Sequence, residues 1–437
     1  MKTNVAAPSP MTHEGGQAMR QTPLRELERA VATCLLWERT FYEPGSTVAQ
    51  RIADLCAEVL PEQLAALAVR ARGDLKLRHA PLWLARHLAR QRAGRIVGDT
   101  LAAVIRRPDE ITEFLALYWR EKRQPLTAQV KRGLRLAFAK FDAQALAKWD
   151  RPGKVRLRDA LFLCHAKPKD AEQDAAWKQL IAGTLPPADT WEVALSGGAD
   201  KRGTWERLLR EQRLGYMALL MNLRNMEAVG VDRGLVEAAL LAGAQQSMAL
   251  PFRFISAAKA APSYAQTLSD AMVTALAGRT LPGETAVVID VSGSMDDLLS
   301  AKGTLTRWEA AGALAVLFRE VAPICRVFTF SDRLCEVPNL RGLALVSTIG
   351  ASQPHRGTHL AQTLAVLERI CAPHRLIVVT DEQTHDGIRP AWAPRSYVVN
   401  VAPYKPALDV TQGWTRISGW SERLVDWIEA DERESDA

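Results

Sequence analysis

The chain has 437 residues, room for about two or three domains, and 48% of them are hydrophobic, which excludes an intrinsically disordered protein. No apolar run approaches the roughly 20 residues a membrane span requires, so no membrane partner is expected. The net charge of +7 is unevenly spread: Lys122 to Lys169 holds 13 Lys or Arg against 3 Asp, a local +10 that leaves −3 elsewhere. That clustering is the composition of a surface for an anionic partner, nucleic acid above all. Six scattered cysteines without a CxxC pair fit reduced thiols of a cytoplasmic protein better than a disulfide framework. Cys371 and His374 have a CxxH spacing but lack the second pair that would complete a zinc site.

Residues 1–17, MKTNVAAPSPMTHEGGQ, have no apolar signal core and read as a disordered lead-in. From residue 18 to 277 apolar residues recur at helical spacing, beginning with LRELERAVATCLLWER (Leu24 to Arg39). Pro61, Pro81 and Pro125 fall near helix starts, where proline is tolerated. Short joins between helices suggest a solenoid or an irregular bundle, without a strict period. Arg78 and His79 in RHAPL are expected to cap or buttress a helix, and Arg253 in LPFRF to line a pore or pack beneath one.

Within the basic stretch, Lys131 and Arg135 share a helical face, with Lys140 next in the series. Lys148, Arg151, Lys154, Arg156 and Arg158 cluster around the Pro152–Gly153 turn, and His165 and Lys167 follow a short apolar run. Phosphates attract such cations, and Arg can also stack on unpaired bases. A solvated helical face would mix signs, which this stretch does not.

The pattern changes at GRTLPGET, Gly278 to Thr285. TAVVIDVS is a continuous β-branched run, the mark of a parallel strand buried on both faces. A helix (TRWEAAGALAVLFREV), a strand (CRVFTFS), a helix (THLAQTLAVLERI), two strands (RLIVVTDE, SYVVNVAP) and a last helix (GWSERLVDWIEA) follow. This alternation predicts an α/β doubly wound sheet over residues 283–437, with ligands beyond the carboxyl ends of its strands. Asp290, Ser292 and Ser294 lie in the loop after the first strand, Thr358 before a helix, and Asp381 at another strand end. Oxygen ligands of this kind suit a divalent cation, Mg²⁺ first, with Mn²⁺ or Ca²⁺ not distinguished. The alternative is that Ser292 and Ser294 cap the next helix and Thr358 its own. His355, His359 and His385 flank the cluster and read as surface groups rather than acid–base catalysts. No Ser-His-Asp set, P-loop, G-x-G-x-x-G or HExxH accompanies it, so an enzyme is not expected.

Asp290, Ser292, Ser294, Thr358 and Asp381 resemble, position by position, the metal-ion-dependent adhesion site of von Willebrand factor A domains. LKLRHAPLWLARHLA, QALAKWDRPGKVRLRDALFLCHAKP, GYMALLMNLRNMEAVGV and LPFRFISAAKAAP resemble the TROVE module of telomerase, Ro and vault proteins. Together they make nearly the whole chain similar to the bacterial Ro proteins. The resemblance implies an α-helical HEAT-like repeat solenoid closing into a ring, completed by a C-terminal von Willebrand factor A-like domain. It implies a monomer that binds small structured non-coding (Y-like) RNA on a basic outer surface and single-stranded 3′ ends of misfolded RNA in the ring cavity. Lys148 and His165 carry over as RNA-binding positions, with Arg151, Lys154 and Arg156 in the same loop. RNA quality control or processing is the implied role, with a ribonuclease, or another protein offering an acidic residue to the metal, as protein partner. The rival expectation is a metal-dependent protein-binding scaffold of the von Willebrand factor A type.

Overall fold

The structure, a computed structural model, describes residues 22–32, 45–188, 190–196, 200–247, 249–299, 303–401, 408, 412–418 and 424–435. The expected lead-in over residues 1–17, and the end of the helix expected to reach Arg39, lie outside them. The chain groups into two compact units, one of Thr22–Leu36 with Ser46–Thr204, the other built mainly on Trp205–Ala437.

The first unit is helical: α1 (Pro23–Ala32), α2 (Gly45–Glu58), α3 (Pro61–Gly73), α4 (His79–Arg90), α5 (Arg95–Val104), α6 (Pro108–Tyr118), α7 (Ala128–Phe138), α8 (Ala143–Trp149), α9 (Leu157–Cys164), α10 (Ala171–Ala182) and α11 (Trp191–Ser196). Local signals start these helices. Pro61 and Pro108 occupy first-turn positions, where the missing N–H has no intrahelical partner to lose. Thr127, Asp142 and Asp170 accept bonds from the backbone N–H three residues on, the usual N-cap arrangement. Helices pack mostly on neighbours one or two places along the chain, as α3 does on α4 and α5, and α7 on α5 and α9. The α5–α7 contact depends on glycine: a Cβ on Gly133 would come 2.6 Å from Leu101 Cβ and 2.9 Å from the Gly98 carbonyl.

In the second unit α13 (Tyr216–Ala228), α14 (Arg233–Ala244), α15 (Pro251–Ala260) and α16 (Ala265–Leu276) follow α12 (Lys201–Arg210), which straddles the division. The alternating part contains β1 (Glu284–Asp290), α17 (Arg307–Val321), β2 (Ile324–Phe330), β3 (Leu334–Val337), α18 (Gly342–Ala351), α19 (Leu360–Ile370), β4 (Arg375–Thr380), β5 (Arg395–Asn400), β6 (Thr415–Ser418) and α20 (Leu424–Ser435). The secondary-structure change expected at 278–285 is where α16 ends and β1 begins, but α15 and α16 pack on α17 and α18 within one compact unit. Lys259 of α15 donates to Glu309 of α17 at 2.7 Å. No helix of the described residues is long and apolar enough to cross a membrane.

The sheet is six-stranded in the order β3-β2-β1-β4-β5-β6, parallel except for the antiparallel edge strand β3. Residues 285–290 of β1 and all of β4 are buried, as expected of strands covered on both faces. Ala286, Val288, Leu376 and Val378 pack with Leu360, Leu364 and Leu367 of α19 on one face. Alternate side chains point the other way, toward the face where α17 contacts β1 and β2. Three elements were not anticipated. The edge strands β3 and β6, LCEV and TRIS, are four residues long and carry no continuous apolar run. α18, GLALVSTIGA, has no charged residue to mark a polar face.

An ion pair ties α20 to the sheet. Arg375, fully buried at the start of β4, donates through Nε to Glu432 Oε1 at 2.6 Å and through Nη1 to Thr285 Oγ1 at 2.7 Å. Glu432→Ala strands this guanidinium without a carboxylate and is expected to cost about 3–5 kcal/mol of stability, read from denaturant unfolding. Arg375→Met with Glu432→Leu is expected to recover most of that loss.

Candidate nucleic-acid interface and cation site

The basic stretch forms α7 to α9 and the joins around them. On α7, Lys131 and Arg135 are four residues apart and so share a face. Burial pushes the Cys164 thiol up to about 11, and Arg135 and Lys131 pull against it. α7 packs on α9, and Lys131 lines one groove with Phe162 and His165 at the end of α9. Lys140 departs from the expected series. α7 ends at Phe138, and Lys140 turns back to donate to the carbonyls of Ala102, at 2.5 Å, and Ile105 at the end of α5. It serves the orphan carbonyls of a helix end and not the basic face.

Around Trp149 the cations converge. The Arg107 guanidinium lies 3.6 Å from the indole centroid, that of Arg151 5.2 Å, and the Lys148 ammonium 5.5 Å. Arg107 is itself tied to Asp109 at 2.6 Å, whereas Lys148, Arg151 and Lys154 are exposed. Arg156 is half-buried and donates to Asp150 at 2.6 Å, while its backbone N–H donates to Asp159 at 2.9 Å. It braces the loop it belongs to. Arg158 is exposed, 3.8 Å from Asp159. His165 closes α9 in the left-handed conformation, φ 56° and ψ 44°, and is exposed, as is Lys167.

Elsewhere in the protein, several surface cations are matched one turn away: Lys178 with Asp174, Arg207 with Glu211, Arg210 with Glu206, Arg233 with Glu237. Among the described residues, Lys131, Arg135, Lys148, Arg151, Lys154 and Lys167 make no such pair with a carboxylate. Their field is left for an external anion. Arg78 is the buttress it was expected to be, donating to Asp109 at 2.6 Å and to Glu113, but its side chain does not cap α4. Arg253 is exposed, its guanidinium 4.4 Å from the Phe252 ring centroid.

The oxygen cluster forms where β1 separates β2 from β4, the point at which strand order reverses and crevices open beyond the strand ends. Asp290 is fully buried; its Oδ1 accepts from the Ser292 N–H at 2.8 Å and its Oδ2 from the Thr380 hydroxyl at 2.6 Å. Asp381, also fully buried, follows β4. Glu382 comes next with φ 61°, a left-handed turn uncommon outside glycine and found where a loop must aim its side chains. The Ser292 and Ser294 hydroxyls are 3.4 Å apart. Gly293 donates to the Arg356 carbonyl at 3.1 Å, which holds the loop of Thr358 against the first loop. His385 in turn donates its N–H to the Thr358 carbonyl at 3.0 Å. All five positions thus meet at one end of the sheet.

The capping alternative is not what these side chains do. Ser292 stands before a short 3₁₀ turn, Gly293–Asp296, without a side-chain cap bond. The free N–H groups of α19 go to another loop: Asp386 accepts from Ala361 at 3.1 Å and from Gln362 at 3.0 Å. Burial pushes the Asp290 carboxyl up to about 7, and the neighbouring charge of Asp381 adds to this. Two buried carboxylates with three hydroxyls are a donor set that could hold a hard cation. One positive charge already reaches it. Arg307 Nη1 lies 3.3 Å from Asp381 Oδ2 and donates to the Ser294 carbonyl at 2.8 Å, a contact no sequence pattern announced. The histidines are engaged: His355 Nδ1 is 2.7 Å from Asp296 Oδ1, and His359 stacks on His385 with centroids 5.5 Å apart.

Residues 171–277 match the TROVE domain family model. The matched span starts with α10, directly after the basic stretch, and closes one residue past α16. No curated protein matches the chain. Its fold is similar to the crystal structure of the Deinococcus radiodurans Ro (RSR) protein, with a TM-score of 0.61 and 19% sequence identity over 94% of this chain and 99% of that one. At that identity the likeness concerns the fold. An aerotolerance-related membrane protein from Bacteroides fragilis also matches, at 18% identity over 34% of this chain and 88% of that one, but its TM-score of 0.22 carries no argument.

Proposed function

We propose that the protein is a non-enzymatic, Ro-type RNA-binding protein of the cytoplasm, acting in RNA quality control or processing. In this reading Lys148, Arg151, Lys154, Lys131, Arg135, His165 and Lys167 receive a small structured, Y-like RNA on an outer surface. Single-stranded 3′ ends of misfolded RNA enter a cavity ringed by the helices. The observation that carries the reading is the set of cations without acidic partners among the described residues, Lys131 half-buried and Arg135, Lys148, Arg151, Lys154 and Lys167 exposed, on a chain with TROVE and Ro likeness. Phosphate contacts then dominate affinity, so a hairpin RNA with a single-stranded 3′ tail is expected to bind tightly at low salt. A fourfold rise in salt from about 50 mM is expected to weaken it by about a hundredfold or more, by filter binding or anisotropy. Weak, salt-independent binding would remove the reading.

Residues 283–437 are assigned in the same proposal to a von Willebrand factor A-like domain, supported by the 3-2-1-4-5-6 strand order and by the backbone contacts that bring the loops of Asp290, Ser292, Ser294 and Thr358 together. Asp290, Ser292, Ser294, Thr358 and Asp381 would hold Mg²⁺, whose open coordination position can take an acidic residue of a protein partner such as a ribonuclease. A second reading, a metal-dependent protein-binding scaffold, is favoured by this buried carboxylate pair. The two separate at Asp290→Ala, which a scaffold does not survive as a binder and an RNA-binding surface does.

A further inference from the structure

We infer that the groove between the start of α7 and the end of α9 accepts one unpaired nucleobase of the bound RNA, stacked on Phe162. The inference rests on the RNA-binding reading and adds the kind of contact the RNA makes. Trp119, Pro125, Lys131, Phe162 and His165 line a groove of about 510 Å³. Phe162 is 59% exposed on α9, whose Leu157, Leu161 and Cys164 are buried in the unit. An exposed aromatic alone is ordinary, and what surrounds this one is not.

Another part of the lining is held in place. The Trp119 indole donates to the Gln124 carbonyl at 2.8 Å, and the Arg123 guanidinium lies 5.2 Å from its ring centroid. Arg123, Lys131 and His165 bring only positive or titratable nitrogen to the lining, with no carboxylate among the lining residues. An apolar floor under a cationic rim fits a ligand that is flat and apolar on its faces and anionic along its backbone. Single-stranded RNA has both properties: every base offers a π-face, and stacking on an aromatic side chain tolerates any sequence. An apolar protein segment would use the floor and leave the cations without a role.

The test compares two RNAs of equal charge: a hairpin with a short single-stranded 3′ tail of uridines, and the same hairpin with an abasic ribose-phosphate tail. The wild-type protein is expected to bind the base-bearing tail about tenfold more tightly. Phe162→Ala is expected to abolish that preference while leaving the salt dependence intact, and Phe162→Tyr, which keeps the ring, to retain it. A wild-type protein that binds both tails equally, or a Phe162→Ala protein that keeps the full preference, overturns the inference and leaves the RNA-binding reading standing. Absence of salt-sensitive binding to either RNA overturns both.

Discussion

Replacing Lys148 by Ala and His165 by Gly together is expected to weaken binding of a structured RNA about tenfold and to lower the slope of log affinity against log salt by about one. Lys148 is an exposed cation beside Trp149, without a carboxylate partner among the described residues. Its removal deletes a phosphate contact and little internal structure. Glycine is the right replacement at position 165 because the residue sits at φ 56°, where glycine relieves the backbone and alanine would not. The double variant should therefore melt at the wild-type temperature. Arg156→Ala is the instructive comparison. Its guanidinium is tied to Asp150 at 2.6 Å, so its loss frees a loop and lowers affinity indirectly. Unchanged affinity and slope in the double variant would take both residues off the binding surface.

Asp290→Asn is expected to change two properties in opposite directions. In the metal-free protein the carboxyl is held near 7 by burial, above the ordinary carboxylate value. The folded state therefore keeps a proton that the unfolded state releases. Stability from this group is fully present below about pH 4 and is lost as pH rises through about 7, by at most about 4 kcal/mol. Metal-free wild type is thus expected to have a lower unfolding midpoint at about pH 8 than at about pH 5, and Asn should flatten the difference. Mg²⁺ reverses the order for wild type, because a cation binds the deprotonated site and stabilises the fold by mass action, about 2.7 kcal/mol at a hundredfold excess over Kd. Asn should abolish that gain while RNA affinity stays unchanged. A Mg²⁺-dependent shift in melting temperature that survives Asp290→Asn would place the cation elsewhere.

Much of this protein is visible in its sequence because the relevant physics is local. Helical periodicity, prolines at helix starts and the apolar runs of β1 and β4 each specify an element within a few residues of chain. The D-x-S-x-S spacing already placed three oxygens in one loop. Net charge by segment likewise located the basic stretch, since charge does not depend on folding. What needed the tertiary structure is everything decided by partners distant in sequence. Lys140 looked like its neighbours Lys131 and Arg135 until the end of α5 claimed it. Arg156 looked free until Asp150 did the same. Thr358 could have been a helix cap, and Asp386 from the loop after β4 filled that role instead. Arg307 reaches Asp381 across 74 residues, and Phe162 and Trp119 line one groove. A short motif encodes which atoms are offered, and only packing, through burial and competition for hydrogen bonds, decides which of them remain available.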